Sequence, residues 1–346
     1  MPFPAPVGGL VLPSDLAPSI VFAVLYALLL PLVAYRIFNR RSRTLLLLGT
    51  IIFSVERIVI FSLRAAQSRN VDMRLSTGLL KYMQVSFGVG FIGIANDLVN
   101  LLRCLLVNPT YGPEKWEEAP ASGTKETYFQ APEQGDEDRP KERFWVRRYS
   151  DFTNLAFMAA SIPGGIGGSQ FNRNNFSNED KANKAMTFRY ASASVALFLM
   201  FMIQVGALWS RRKQRRHCER AVSTILAISL LTTVVAVYRL SVMWHESPAL
   251  DSTQPGTLNS PGAKASFYIL HILPEWLASA ILLGFNTRKT FGTGAFGDWR
   301  GADDRPKDIE RREKRKAERA AKKAAKSVYE SGTTPIADIY TPILYA

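Results

Sequence analysis

The sequence predicts an all-α membrane protein, a seven-transmembrane helix bundle with its N-terminus outside and its C-terminus cytoplasmic. Apolar residues occur in seven blocks, most of them close to the roughly 20 residues that a helix needs to cross a bilayer. Basic residues collect in alternate connections between these blocks, which is the pattern of cytoplasmic loops. The net charge of +14 is therefore a topology signal, and we expect no nucleic-acid partner.

The expected spans are residues 17–38, 44–63, 77–107, 152–168, 191–209, 221–244 and 265–286. The first is preceded by a short outside segment, residues 1–16, which we expect to be retained because it lacks the basic region of a signal peptide. The fourth span has the least typical composition, since Pro163 and four glycines lie near its end. A tilted, tightly packed helix and a re-entrant segment both fit it.

The orientation follows from the connections. Those after spans one, three, five and seven hold many Lys and Arg, whereas the others hold few. Asn175 begins an Asn-x-Ser glycosylation acceptor, and it falls in an outside loop under this scheme. The long cytoplasmic loop 108–150 has no apolar periodicity, so we expect it to be disordered apart from the approach to span four that contains Trp145.

The C-terminal tail, residues 288–346, is basic and partly helical by prediction. Residues 311–326 contain nine basic and two acidic side chains among good helix formers. Two interpretations stay open, a solvated helix and a helix attracted to anionic lipid headgroups. The attraction amounts to about 1 kcal/mol per basic residue near the surface.

Ionisable residues inside the spans predict the candidate site. Glu275 lies near the middle of span seven, and His271 is four residues away on the same helix face. Such groups are costly in lipid, so they should face protein or water. Their positions along the spans place six polar residues in one layer, where we expect a polar cavity open to the outside: Glu56, Arg57, Gln84, Arg239, His271 and Glu275.

Two interpretations of this layer remain. In one, Glu275 forms an ion pair with Arg239 or Arg57 and locks the helices together without a ligand. In the other, a small, lipid or sterol-like ligand uses the pocket. His271 is then either a packing residue or a proton acceptor beside Glu275.

A second polar group lies at the cytoplasmic end of span three and consists of Asn96, Asp97, Asn100 and Arg103. It predicts either helix capping and hydrogen bonds between helices, or a switch that couples helix movement to a cytoplasmic signalling partner.

The residues favour no enzyme, cofactor or metal site. The three histidines lie in different regions, which disfavours a zinc site with several histidine ligands. The chain contains neither a GxxxxGK[ST] phosphate loop nor a GxSxG nucleophile elbow. Cys104 and Cys218 imply no disulfide framework; near the inner face they are either palmitoylation sites or small buried residues.

The last two spans resemble a known family. Tyr238-Arg239, a short outside loop and the stretch Phe-Tyr-Ile-Leu-His-Ile-Leu-Pro at 267–274 are similar to the end of the fungal lipid-translocating exporter family. Its members are seven-helix proteins associated with lipid and sterol-toxin stress. Val242 and His271 replace acidic residues of the family pattern. A divergent fungal orphan family with the same architecture is the alternative.

Three functional classes follow. The first is a sensor that binds a small or lipidic ligand and signals through the cytoplasmic loops. The second is a lipid-handling transporter, which the family resemblance implies. The third, an intramembrane enzyme, is the least favoured because the sequence holds no complete catalytic set. The protein is expected in the plasma membrane or an endomembrane.

Overall fold

The computed structural model describes residues 3–172, 175, 178–249, 252, 254, 257–298, 314–315 and 317–322. The chain forms two compact units, Met1–Trp299 and Arg300–Ala346. Helices make up most of the first unit, and its only strands among the described residues are two short ones that pair antiparallel, β1 (Phe3–Pro4) and β2 (Glu246–Ser247).

The helices of the first unit are α1 (Leu16–Ala27), α2 (Leu30–Phe38), α3 (Leu48–Arg69), α4 (Val71–Arg74), α5 (Thr77–Val107), α6 (Pro113–Trp116), α7 (Pro140–Ser169), α8 (Glu179–Lys213), α9 (Glu219–Val242), α10 (Pro261–Phe267), α11 (Leu273–Gly284) and α12 (Thr287–Phe291). Helix α5 is central, because α3, α7, α8 and α9 all pack against it.

Six helical stretches are long and apolar enough to cross a membrane. They are Pro13–Phe38, Leu45–Arg69, Thr77–Thr110, Glu179–Lys213, Glu219–Val242 and Pro261–Gly284. Each contains one of the predicted spans or all but one or two of its terminal residues. An all-helical, multi-pass membrane protein is therefore the class that the structure supports.

The region of the predicted fourth span belongs to α7, a continuous helix that is not among these six. Its glycines allow close packing against two neighbours. A Cβ atom on Gly168 would lie 2.8 Å from the backbone of Val85 on α5, and one on Gly164 would lie 2.7 Å from the Ser192 hydroxyl on α8. The tightly packed helix is thus the alternative that the structure favours over a re-entrant segment.

Residues 108–139, which we expected to be disordered, instead pack against the rest of the unit, although they contain only short helical turns. Helix α7 already begins at Pro140, and the chain before it packs through scattered large side chains rather than a periodic face. Tyr111 is fully buried, with the guanidinium of Arg143 over its ring at 4.3 Å. Asn108 donates a hydrogen bond of 2.8 Å from Nδ2 to the carbonyl of Phe291. Contacts of this kind leave no periodic signal in the sequence.

A π-helical turn, Tyr268–Ile272, interrupts the last long helix directly before Pro274. Proline has no N–H, and its ring would clash with the carbonyl four residues back, so a wider turn relieves the conflict. This turn directs His271 and Glu275 into the bundle, where both are fully buried.

The N-terminal segment, residues 3–12, closes one end of the bundle, which we call the upper end. Its residues are buried almost without exception. Lys264 donates hydrogen bonds from Nζ to the carbonyls of Gly8 and Leu10, and Asn259 accepts one from the Leu10 amide. The opposite end, which holds Asp298, is the lower end.

The second unit is described only at residues 314–315 and 317–322, which are helical and exposed. The rest of the predicted tail helix, 311–326, lies outside the described residues.

Candidate functional site

The centre of the candidate site is an ion pair between α3 and α11. Arg57 donates hydrogen bonds from Nε and Nη2 to the two Glu275 oxygens, at 3.1 and 3.2 Å. Its third nitrogen, Nη1, donates to the Ser86 hydroxyl at 2.8 Å. Both charged side chains are 0% exposed. All three guanidinium nitrogens of Arg57 therefore donate hydrogen bonds. A buried ion pair needs such bonds to offset its loss of hydration.

His271 extends this pair within an aromatic enclosure. Its Nε2 lies 3.3 Å from a Glu275 oxygen, one helical turn away. Phe87, Tyr238 and Phe267 stand edge-on to the imidazole at centroid distances of 5.4–5.8 Å. Tyr238 and the stretch 267–274, which carry the family resemblance, are therefore in contact, although His271 itself stands where the family pattern has an acidic residue.

Arg239 does not form the ion pair with Glu275. It donates from Nη1 to the Phe87 carbonyl at 2.5 Å, and it is 3% exposed. Of the two partners predicted for Glu275, the structure assigns Arg57.

The expected cavity open to the outside is not seen in the described part of the chain, because residues 3–12 cover the layer. Gln84 makes two hydrogen bonds with the backbone of Val7, accepting from its amide at 2.9 Å and donating to its carbonyl at 3.1 Å. Gln84, Arg57, Arg239 and Glu275 are all at most 5% exposed. A sequence cannot reveal such a cover when the covering segment looks like an ordinary Pro- and Gly-rich terminus.

Glu56 lies apart from this cluster, contrary to the expectation of a single layer of six residues. It neighbours Arg57 on α3 but points to the next face, on the side of Tyr82 of α5. It lines a groove of about 300 Å³ between α3, α5 and α7. We call this the lateral groove; its lining comprises Gly49, Ile52, Phe53, Glu56, Val89, Gly90, Ile92, Gly93, Asn96, Phe157, Met158 and Ser161.

The lateral groove is mostly apolar, with polar groups from each helix. Gly93 lies on its wall, and a Cβ atom there would meet nothing within 4 Å. Asn96 also lines it, and the Asn96 Oδ1 atom is buried with no hydrogen-bond partner among the described residues. An unpartnered acceptor and a carboxylate that line the same groove suit a ligand that donates hydrogen bonds.

A second buried charge cluster lies at the upper end, and sequence reasoning missed it. Asp15 accepts from Arg64 at 3.2 Å, from Lys264 at 2.9 Å and from the Tyr268 hydroxyl at 2.8 Å. Asp15 and Lys264 fall just outside the predicted spans, so neither was considered an intramembrane charge. Arg64 lies one residue beyond predicted span two, and this position was the sequence feature that could have indicated the cluster.

The four residues predicted as one group at the cytoplasmic end of span three make separate contacts. Asp97 accepts from the amide and hydroxyl of Thr50, at 2.6 and 2.8 Å, and so joins α5 to α3. Asn100 lies 3.4 Å from Asn154 and faces α7. Asn96 instead belongs to the lateral groove.

Arg103, the fourth member, joins an ionic network at the lower end. It pairs with Asp151 on α7 at 3.0 Å and with Asp298 at 2.8 Å, and Arg147 also pairs with Asp298. Burial by itself would raise the pKa of Asp298. The hydrogen bonds and positive charges of Arg147 and Arg103 outweigh burial and hold that pKa below its ordinary value.

Among the described residues, no group of three or more His, Cys, Asp or Glu side chains is placed to hold a metal ion. Cys104 and Cys218 are free and buried, which favours their interpretation as small packing residues.

Comparison of the chain with family models, with curated proteins and with solved structures finds no match.

Proposed function

We propose that the chain crosses the membrane seven times, with α7 as the additional crossing. Its apolar residues on one face are exposed to the surroundings of the bundle, namely Phe152, Leu155, Met158, Ile162 and Ile166, with Trp145 below them. From Trp145 to Ile166 the helix is about 30 Å long, which matches a bilayer core. The glycines on its opposite face lower its mean hydropathy but serve packing, as is common between membrane helices.

The upper end is outside and the lower end cytoplasmic in this proposal. The basic connections after α2, α5 and α8 and the basic tail all follow lower ends, as the positive-inside rule requires. Residues 3–12 then lie on the outer side of a plasma membrane or on the lumenal side of an endomembrane.

The function that the geometry supports best is recognition of a lipidic ligand by a receptor-like membrane protein. The lateral groove carries this proposal. This groove is the proposed ligand site instead of the outward-facing cavity expected from the sequence, because residues 3–12 cover the polar layer where that cavity was expected. A carboxylate in the middle of α3, at Glu56, is costly beside hydrocarbon unless a partner neutralises it. The ligand is an apolar molecule with a polar head that donates hydrogen bonds, either a sterol-like hydroxyl or a lipid amine.

A continuous set of contacts supports coupling from the groove to the cytoplasmic side. Below Asn96, the Asp97–Thr50 bonds connect α5 to α3. One and two turns further, Asn100 and Arg103 connect α5 to α7. A ligand that separates α3, α5 and α7 at the groove therefore changes the spacing of elements that a cytoplasmic signalling partner can read.

Ligand-dependent thermal stability of the purified chain tests this proposal, with cholesterol and sphingosine as the probes. Gly93→Phe fills the groove without a backbone clash and should abolish the stabilisation. Gly165→Phe is the matched control, because a Cβ atom there also meets nothing within 4 Å but the residue does not line the groove. Glu56→Gln should weaken sphingosine binding at least about tenfold, the loss of one charged interaction, and cholesterol binding less.

The proposal fails if neither probe stabilises the wild-type chain, or if Gly93→Phe retains the full response.

Lipid translocation is the second candidate, favoured by the resemblance of Tyr238-Arg239 and the stretch 267–274 to the exporter family, two segments that meet where Tyr238 packs against His271 at a centroid distance of 5.8 Å. Transfer of labelled lipid across reconstituted vesicles distinguishes the two functions, since a sensor shows none. Neither candidate requires catalysis, a cofactor or a metal. In both, the basic tail binds anionic lipid headgroups.

A further inference from the structure

Two buried arginines near the upper end have no carboxylate partner among the described residues. Arg189 on α8 is 2% exposed and Arg239 on α9 is 3% exposed. Arg189 donates from Nη1 to the Ala5 carbonyl at 3.3 Å, and Arg239 donates to the Phe87 carbonyl. A backbone carbonyl satisfies one N–H group but does not neutralise a charge.

Each arginine also keeps a buried N–H group without a partner. These are Nη2 of Arg189 and Nε of Arg239. Arg239 Nη2 and the Gly164 carbonyl both lie beside Gly88, and Arg189 packs against Gly167, three residues further along α7. The two positive charges therefore lie near the same stretch of α7 and repel each other. Guanidinium groups stay protonated in proteins, so the repulsion cannot be relieved by loss of a proton.

The surroundings do not supply the missing negative charge. The carboxylate nearest to Arg239, that of Glu275, is engaged by Arg57. The other buried carboxylate of the upper half, Asp15, is engaged by Arg64 and Lys264. Among the described residues, five buried cationic side chains therefore share two buried carboxylates in this half of the bundle.

Uncharged groups face the two arginines: the Phe91 ring of α5 lies 5.8 Å from the Arg239 guanidinium, the Phe171 ring just after α7 lies 5.0 Å from that of Arg189, and glycine backbone of α5 and α7 lies beside both side chains. A Cβ atom on Gly88 would lie 3.8 Å from Arg239 Nη2, and one on Gly167 would lie 2.9 Å from Arg189 Cγ. Above them, β1 and the residues after it form the cover, with Ala5 held by the His245 carbonyl at 2.8 Å.

We propose that Arg189 and Arg239 form a binding site for one anionic group, a carboxylate or a phosphate, beneath the N-terminal segment. The anion bridges the two guanidinium groups, accepts from their unpartnered N–H groups and replaces the Ala5 carbonyl at Arg189. This site is separate from the lateral groove and does not depend on the function proposed for it. The anion comes either from a soluble small molecule or from an amphiphile in the outer leaflet.

Thermal unfolding of the full chain in phosphatidylcholine nanodiscs tests the site. Inorganic phosphate and acetate are the soluble probes; oleate and phosphatidic acid in the nanodisc are the amphiphilic ones. At least one probe should raise the unfolding temperature by several degrees. Arg189→Gln and Arg239→Gln should weaken that response at least about tenfold in probe concentration. Lys184→Gln, an exposed charge on the same helix, should leave it unchanged.

A response to phosphate or acetate assigns a soluble anion, and a response restricted to oleate or phosphatidic acid assigns an amphiphile. Without added anion, Arg189→Gln should unfold at the wild-type temperature or above it, because it removes an uncompensated charge. No response to any of the four probes, or an undiminished response in the Arg189→Gln/Arg239→Gln double variant, overturns the proposal.

Discussion

Arg57 and Glu275 join α3 to α11 through two parallel hydrogen bonds at the centre of the bundle, with no exposure of either side chain. The two residues are 218 positions apart in the chain. Glu275 follows Pro274 and the π-helical turn Tyr268–Ile272 in the chain. The pair therefore reports on the packing of the first helices against the last.

Removal of one partner should be costly. Glu275→Gln and Arg57→Gln should each destabilise the bundle by roughly 3–5 kcal/mol, because each leaves a buried charge without a partner. The double variant should cost less than the sum, with a coupling of roughly 0.5–3 kcal/mol. Unfolding in detergent measures all three.

Arg239→Gln is the control for this cycle, since Arg239 donates to a carbonyl instead of to Glu275. Its coupling with Glu275→Gln should be smaller than that of Arg57→Gln. Equal coupling for both arginines would contradict the assigned pair.

Gln84 should hold the N-terminal segment in place. Gln84→Leu removes two buried hydrogen bonds to Val7 and should destabilise the chain by about 1–3 kcal/mol. Amide hydrogen exchange of residues 3–12 should accelerate. Gln204→Leu, whose partner is Thr233 on α9, should leave exchange in that segment unchanged. If residues 3–12 exchange as slowly in Gln84→Leu as in the wild type, contacts other than those of Gln84 hold the segment in place.

The ionic network at the lower end should be sensitive to acid. The pKa of Asp298 is lower in the folded chain than its ordinary value of 3.8, so its stabilisation is complete above that value and disappears as pH falls through the folded pKa. At neutral pH, Asp298→Asn should cost about 2 kcal/mol, the value of hydrogen bonds to a charged group. The difference from wild type should shrink below about pH 4. A constant difference between pH 7 and pH 3 would assign the effect to packing.

Glycosylation tags should report the topology. An acceptor inserted after Pro248, in the loop between β2 and α10, should be modified, and one at the end of the tail should not. If the tail is modified and the loop is not, the orientation is reversed. If both are modified, the chain must cross the membrane an even number of times between the two insertion points.

The sequence predicts six of the apolar helices well, because a bilayer-spanning stretch is a local property of composition. It also places Arg57, Glu275 and His271 in one layer, because depth follows from position along a span. The direction in which each side chain points does not follow, since it depends on helix rotation. Glu56 and Arg57 are adjacent, yet one lines the lateral groove and the other the closed core.

Contacts between distant segments explain the remaining differences. Residues 3–12 cover the polar layer through Gln84 and Lys264, which only the folded chain brings near them. Helix α7 contains glycines that pack against its neighbours and that lower its mean hydropathy. The predicted span, 152–168, is therefore shorter than the helix, Pro140–Ser169.

Photolabelling tests the central claim, that the lateral groove holds a lipidic ligand, most directly. The reconstituted chain would be labelled with photoreactive cholesterol and photoreactive sphingosine, and the modified residues located by mass spectrometry. Labelling should concentrate at residues 49–56, 89–96 and 157–161, fall with excess unlabelled probe and disappear in Gly93→Phe but not in Gly165→Phe. Labels spread over the whole lipid-facing surface, or unchanged in Gly93→Phe, would contradict the claim.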